Sequence, residues 1–228
     1  MSEAEKAPVS RRAPISDLFA TAVHRFGNAW ADLVLASVVA LGLATVPVLI
    51  TNARSTATGT FVACVFSYGI AYFLLLGFVM LRGLPESAPR RRVIATYATA
   101  LVVGPVASLV VLVLQPYSVI PMPLLLLIVP AVAAGDRSPL GALVRGPQLA
   151  LTHFGRTWGV WMITIMFCAP IAIAMFLVVQ AFAGSITGTL LALALAAPVA
   201  WPFSALFVRA LYGDLTGRRV VAPQDRSG

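Results

Sequence analysis

The sequence predicts an all-α, polytopic membrane helical bundle of six transmembrane helices with two amphipathic helices at the cytoplasmic interface. Three observations carry this. Hydrophobic residues fill 60% of 228 positions and charged residues only 11%, whereas soluble domains are roughly a quarter charged. The apolar residues gather in six runs near the roughly 20 residues that cross a hydrocarbon core of about 30 Å. The positive charges collect in alternate connections between those runs, as expected for cytoplasmic loops.

The elements follow in order. Residues 1–14 (MSEAEKAPVSRRAP) are polar and charged with little to bury, the composition of a disordered cytoplasmic tail. From Ile15 to Trp30 the apolar residues Ile15, Leu18, Phe19, Ala22, Phe26 and Trp30 recur at three-and-four spacing opposite Asp17, Thr21, His24, Arg25 and Asn28, which reads as a helix lying in the headgroup region. The first thirty residues lack the early apolar core of a cleavable signal, so the first run is expected to stay as an anchor. The predicted spans are 33–50, 60–81, 93–115, 118–134, 157–182 and 188–210 within one membrane domain at 15–215, and a second disordered tail covers 216–228.

The fourth run is short and holds Pro121, Pro123 and Pro130, so by itself it could form a re-entrant loop. Charge parity argues for a return across the membrane. The loops Arg82–Arg92 and Asp136–Arg156 are both basic, hence both cytoplasmic, and an even number of crossings must separate them. With both termini inside, fifteen of the sixteen Lys and Arg lie on the cytoplasmic side and only Arg54 lies outside. The net charge of +8 is thus assigned mainly to orientation, with no nucleic-acid partner needed.

A second amphipathic helix is predicted at 138–155. Ser138-Pro139 starts it, with proline at the first helical position. Leu140, Leu143, Val144, Pro147, Leu151 and Phe154 line one face and Arg145, Gln148, Thr152 and Arg156 the other, with a bend expected at Gly146-Pro147. Phe154-Gly155-x-x-Trp158 repeats Phe26-Gly27-x-x-Trp30, each unit leading into an apolar run in the same direction, which defines a weak parallel internal repeat. The Trp residues of both units suit an aromatic belt.

Clustered chemistry is sparse. His24 and His153 have no metal-ligand neighbour at helical spacing, Cys64 and Cys168 fall in apolar runs, and the eight carboxylates avoid the run centres. Neither catalytic residues nor a metal or cofactor site is therefore expected. An ion pair between Asp32 and Arg209, at the cytoplasmic ends of the first and last spans, is possible in the sequence alongside simple snorkelling of each to the interface. Arg90, Arg91, Arg92, Arg145 and Arg156 are the candidate contacts for lipid headgroups.

The segments L-G-A-L-V-R-x-x-x-L-A-L-T-x-x-x-F-G-R-T-W-G (Leu140–Gly159) and L-F-V-R-A-L-Y-G-D-L-T-G-R-R (Leu206–Arg219) resemble bacterial membrane proteins of the glycerophosphoryl diester phosphodiesterase membrane-domain type and their uncharacterised relatives. That resemblance implies a similar membrane architecture. It implies no hydrolysis, because in that family hydrolysis belongs to a separate soluble barrel whose His and carboxylate signature this chain lacks. Fifteen Arg to one Lys also fits a GC-rich bacterial genome. The expected function is that of a non-catalytic protein of a bacterial plasma membrane, organising anionic lipid, a protein partner or a second copy of itself through a basic cytoplasmic face. The alternative is a small permease with a Pro-broken core and a central cavity lined by Ser67, Tyr72, Thr99, Thr164 and Gln180.

Overall fold

The computed structural model describes residues 12–54, 56–82, 84, 88–114, 117–183 and 186–217, with side chains at all of these except 57, 119, 172, 175, 176 and 178–195. The expected tails therefore lie almost wholly outside the described residues. Helices account for nearly everything described: α1 (Ile15–Asn52), α2 (Ala57–Arg82), α3 (Arg90–Leu114), α4 (Met122–Leu126), α5 (Ile128–Ala133), α6 (Pro139–Thr152), α7 (Phe154–Ala183) and α8 (Ile186–Leu215). Among the described residues, Ile15–Asn52, Thr58–Arg82 and Arg90–Leu114 are long and apolar enough to cross a membrane. The chain is a membrane protein.

The predicted fourth span is not one helix. A 3₁₀ turn at Tyr117–Val119 precedes α4 and α5, which meet at Leu127 (φ −88°, ψ −4°). Pro121 and Pro123 open α4 and Pro130 sits in α5, where missing N–H groups leave few backbone bonds to sustain a longer helix. The segment still returns the chain: Gly135, at φ +76°, ends α5 directly against the guanidinium of Arg92, at the first turn of α3. Only glycine takes that left-handed cap without strain.

The first helix is continuous from Ile15, with its kink at Ala29 (φ −129°, ψ 18°), between the expected interfacial helix and the expected first span. Its apolar face does not lie free in the headgroup region. Leu18 and Ala22 are buried, and Phe19 packs edge-on to Phe167 of α7 and to Phe203 and Phe207 of α8, with centroids 5.3–5.9 Å apart. The basic end of the bundle supplies the core that composition alone did not reveal. The second amphipathic helix behaves differently: α6 buries Ala142, Gly146, Leu149 and Ala150 and leaves Leu140, Val144 and Leu151 exposed. Ser138 caps it as predicted, its Oγ accepting from the Gly141 N–H at 3.2 Å. Pro147 lies inside the continuous α6, and the break falls at His153 (φ −120°, ψ 39°).

Close approach of helices rests on glycine. A Cβ on Gly104 would sit 2.7 Å from the Ile70 backbone, and one on Gly69 would collide with Ser108, so α2 and α3 pack nearly backbone to backbone. Polar side chains divide between two uses. Tyr72 bonds Ser204 at 2.7 Å, Thr45 bonds Tyr68 at 3.3 Å and the Ser108 hydroxyl donates to the Val65 carbonyl at 3.0 Å, bridging helices. Thr99 and Thr164 instead donate to carbonyls four residues back in their own helices. Pro47, Pro105, Pro170, Pro198 and Pro202 all lie inside continuous helices.

Candidate functional site

The described arginines other than Arg54 gather at one end of the bundle, built from the N-terminal part of α1, the C-terminal ends of α2 and α8, the start of α3, and α6. Two groups of side chains there differ in how their charge is met.

The first group is closed. Arg156, in the first turn of α7, pairs through Nε with Asp214 of α8 at 2.9 Å, and the two side chains are only 19% and 9% exposed. The N-terminal segment locks onto the same pair: the Ala13 N–H donates to Asp214 at 3.0 Å, and Arg156 donates to the Ala13 carbonyl. Arg12 lies over His153, 2.9 Å from Nδ1 and 3.1 Å from Nε2. Burial, aided by Arg12 and Arg156 and opposed by Asp214, holds the His153 imidazole below its ordinary pKa. Arg156, a candidate headgroup contact in the sequence, is thus committed to an internal clamp.

The second group is open. A cavity of about 470 Å³ is lined by Thr21, His24, Arg25, Asn28, Arg82 and Arg209 over an apolar floor that includes Leu33, Val79 and Leu206. The expected Asp32–Arg209 pair is not made: Asp32 pairs with Arg82 at the rim, and Arg209 turns to the Val79 carbonyl at 3.5 Å. Sequence order could not foresee this, because both Arg82 of α2 and Arg209 of α8 lie at the same end of the bundle as Asp32.

The other expected contacts are placed as follows. Arg90 and Arg91 are exposed at the start of α3, while Arg92 packs on Gly135. Arg145 is exposed on α6 and lines a shallow basic recess of about 340 Å³ with Asp136, Arg137 and Tyr212, whose hydroxyl donates to Asp136. Trp30 is 59% exposed, whereas Phe26 packs against the core. Phe154 stacks on Trp158 with centroids 5.9 Å apart. Gly27 and Gly155 have open space beside them, so neither serves helix contact, and of the Gly155-x-x-x-Gly159 pair only Gly159 approaches a neighbour, Ile15.

A third cavity, of about 410 Å³, lies between α2, α3, α7 and α8 with Met122 of α4 on its wall. Of the five residues expected to line a central cavity, Tyr72 and Thr164 do so; Ser67 and Thr99 do not, and the Gln180 side chain lies outside the described residues. Ser108, Cys168 and Ser204 join them, among mostly apolar neighbours. Among the described residues no group of three His, Cys, Asp or Glu could hold a metal ion. No family, curated protein or solved structure matches the chain.

Sequence reasoning missed the roles of Arg25, Asp214 and Tyr212. Arg25 read as one more residue of a polar face, and its distinguishing signal, a cation one turn before a kink, appears only once Ala29 is seen.

Proposed function

We propose that the chain is a non-catalytic, six-pass protein of a bacterial plasma membrane, with both termini cytoplasmic, that organises anionic lipid through its basic face. The observation that carries this reading is α6. Its small residues Ala142, Gly146 and Ala150 face the bundle while Leu140, Val144 and Leu151 stand exposed beside Arg137 and Arg145. A helix with one face packed, one apolar face open and flanking arginines suits the headgroup boundary of an anionic leaflet. Six passes are supported by the lengths of α7 and α8, 30 residues each, and by the return of the chain to Arg92 through α4 and α5. The fourth pass would be this broken segment.

Two measurements test it. Cysteine accessibility should place a cysteine at Ala88 inside and one at Ala57 outside, and the reverse would overturn the orientation. In nanodiscs made of equal parts phosphatidylcholine and phosphatidylglycerol, the lipid retained by the protein should be enriched in phosphatidylglycerol; retention in the supplied ratio would remove the lipid role.

A permease is a second reading, favoured by the cavity at Tyr72, Thr164 and Ser204. The hydroxyls of all three are engaged within the protein, which suits an acyl chain better than a polar solute. Density for a polar solute there, in a structure determined with native lipid, would favour transport.

A further inference from the structure

The cavity at Arg25 has the features of a built site for one anion. Thr21, His24, Arg25 and Asn28 present one face of α1 to it, Arg82 closes it from α2, and Arg209 approaches from α8. No carboxylate is among its lining residues. Its nearest acid along α1, Asp32, is bound to Arg82 at the exposed rim. Asn28 and His24 hydrogen-bond each other across one turn at 3.1 Å, holding both side chains on the cavity face.

Arg25 lines the cavity, and its Nη1 is enclosed with no hydrogen-bond partner among the described residues. A buried polar atom left unmatched is destabilising, so native proteins rarely keep one without a use. Arg25 and Arg209 also lie close enough to repel one another. A cavity bordered by three guanidinium groups and by no carboxylate suits an anion. Guanidinium forks match the oxygens of a phosphate group better than any other common anion except a carboxylate. The volume, about 470 Å³, lies within the usual range for small-ligand pockets of about 300–1,000 Å³. The floor of Leu33, Val79 and Leu206 adds an apolar surface beside the charges, suited to the glycerol and upper acyl carbons of a lipid.

We propose that Arg25, with Arg82 and Arg209, forms a specific site for a phosphate ester, filled by a single glycerophospholipid headgroup. This rests on the anionic-lipid reading above and narrows it from a charged face to one pocket. Arg25 and Arg209 grip the phosphate, and Arg82 keeps its bond to Asp32 at the mouth.

The test is native mass spectrometry of the full-length protein in detergent, titrated separately with dioleoylphosphatidylglycerol, dioleoylphosphatidylcholine and inorganic phosphate. R25Q should weaken the tightest phosphatidylglycerol association at least about tenfold, the loss expected for one charge-assisted hydrogen bond. R145Q on the same face and R54Q at the opposite end should change it less than about twofold, as exposed charges do. Arg25-dependent binding of inorganic phosphate at comparable strength supports the anion site and assigns it to free phosphate. Equal losses in R25Q and R145Q, with preference for phosphatidylglycerol kept in the wild type, would overturn the pocket while leaving the basic-face reading standing. Absence of any preference in the wild type would overturn both.

A measurement without substitution guards against misfolding of R25Q. Phosphatidylglycerol should slow phenylglyoxal labelling of Arg25 relative to Arg145 in the wild-type protein, and equal slowing of the two would overturn the site.

Discussion

The two amphipathic helices share the words Phe-Gly-x-x-Trp and both lead into helices packed on α8, yet they use their faces in opposite ways. The first, Ile15 to the Ala29 kink, buries Leu18, Phe19 and Ala22 in the bundle and leaves Arg25 over an open cavity. The second, α6, keeps Leu140, Val144 and Leu151 exposed and is followed by Arg156, whose charge is closed by Asp214. The position of the break sets this difference. It falls after Phe26 in one copy, at Ala29, and before Phe154 in the other, at His153. In the repeat Arg25 corresponds to His153 and Asn28 to Arg156, so the two arginines occupy different positions: one on a cavity wall, the other in the first turn of α7 within reach of a carboxylate. The repeated words thus accompany a break without fixing its position, and the neighbours of each arginine decide whether its charge is left on a cavity wall or braced.

The largest expected effect comes from breaking the brace. Asp214→Ala removes the partner of Arg156 and an acceptor for the Ala13 N–H, and should cost about 3 kcal/mol, the scale of a buried pair left half-made. Unfolding in detergent followed by tryptophan fluorescence would show it. Replacing both residues by methionine should recover much of that loss, because no uncompensated charge remains.

Next is the contrast between the apolar faces. Phe19→Ala strips one ring from a cluster of four and should cost about 2–3 kcal/mol, somewhat below a fully buried phenylalanine. Leu140→Ala, at a residue 78% exposed, should change stability by less than about 0.5 kcal/mol. Equal costs would erase the distinction between a packed and an open helix.

A smaller effect separates the copies by pH. Folding disfavours protonation of His153, so the unfolded chain binds more protons as pH falls below about 6.5. Stability should therefore decline through that range and level off below the depressed native pKa, and His153→Gln should flatten the decline. A curve unchanged by the substitution would remove His153 from the brace. The smallest effect should be the same in both copies: Gly27→Ala and Gly155→Ala meet nothing within 4 Å and should each stabilise by about 0.5–1 kcal/mol through backbone entropy. A loss in either copy would mark a contact there.

Much of the helical architecture was legible because period and length are local properties. The Ser138-Pro139 start follows from nearby residues, and the helical periods of 15–30 and 138–155 were read from local spacing. The uses of the faces were not legible. Whether Leu18 or Leu140 is buried depends on which helix lies beside it: α1 packs on α8, which arrives late in the chain, whereas α6 packs on α4 and α5. The partner of Asp32 was likewise left open by the sequence, and Arg82 takes it through geometry that only the assembled bundle defines. The fourth span was misjudged in form, since composition and length counted its apolar residues but three prolines decided how they could be arranged.

That fourth segment bears on how the protein is made. Met122 to Ala133 extends only about 18 Å at 1.5 Å per residue, and Leu126 to Ala133 is buried by protein on every side. Its burial therefore depends on neighbouring helices of the same chain. Its partners α2 and α3 are already synthesised when it emerges, but α6, which presses Gly146 against Ile128, is not. The packing around this stretch is therefore completed only once α6 has been made and Gly146 docks against Ile128.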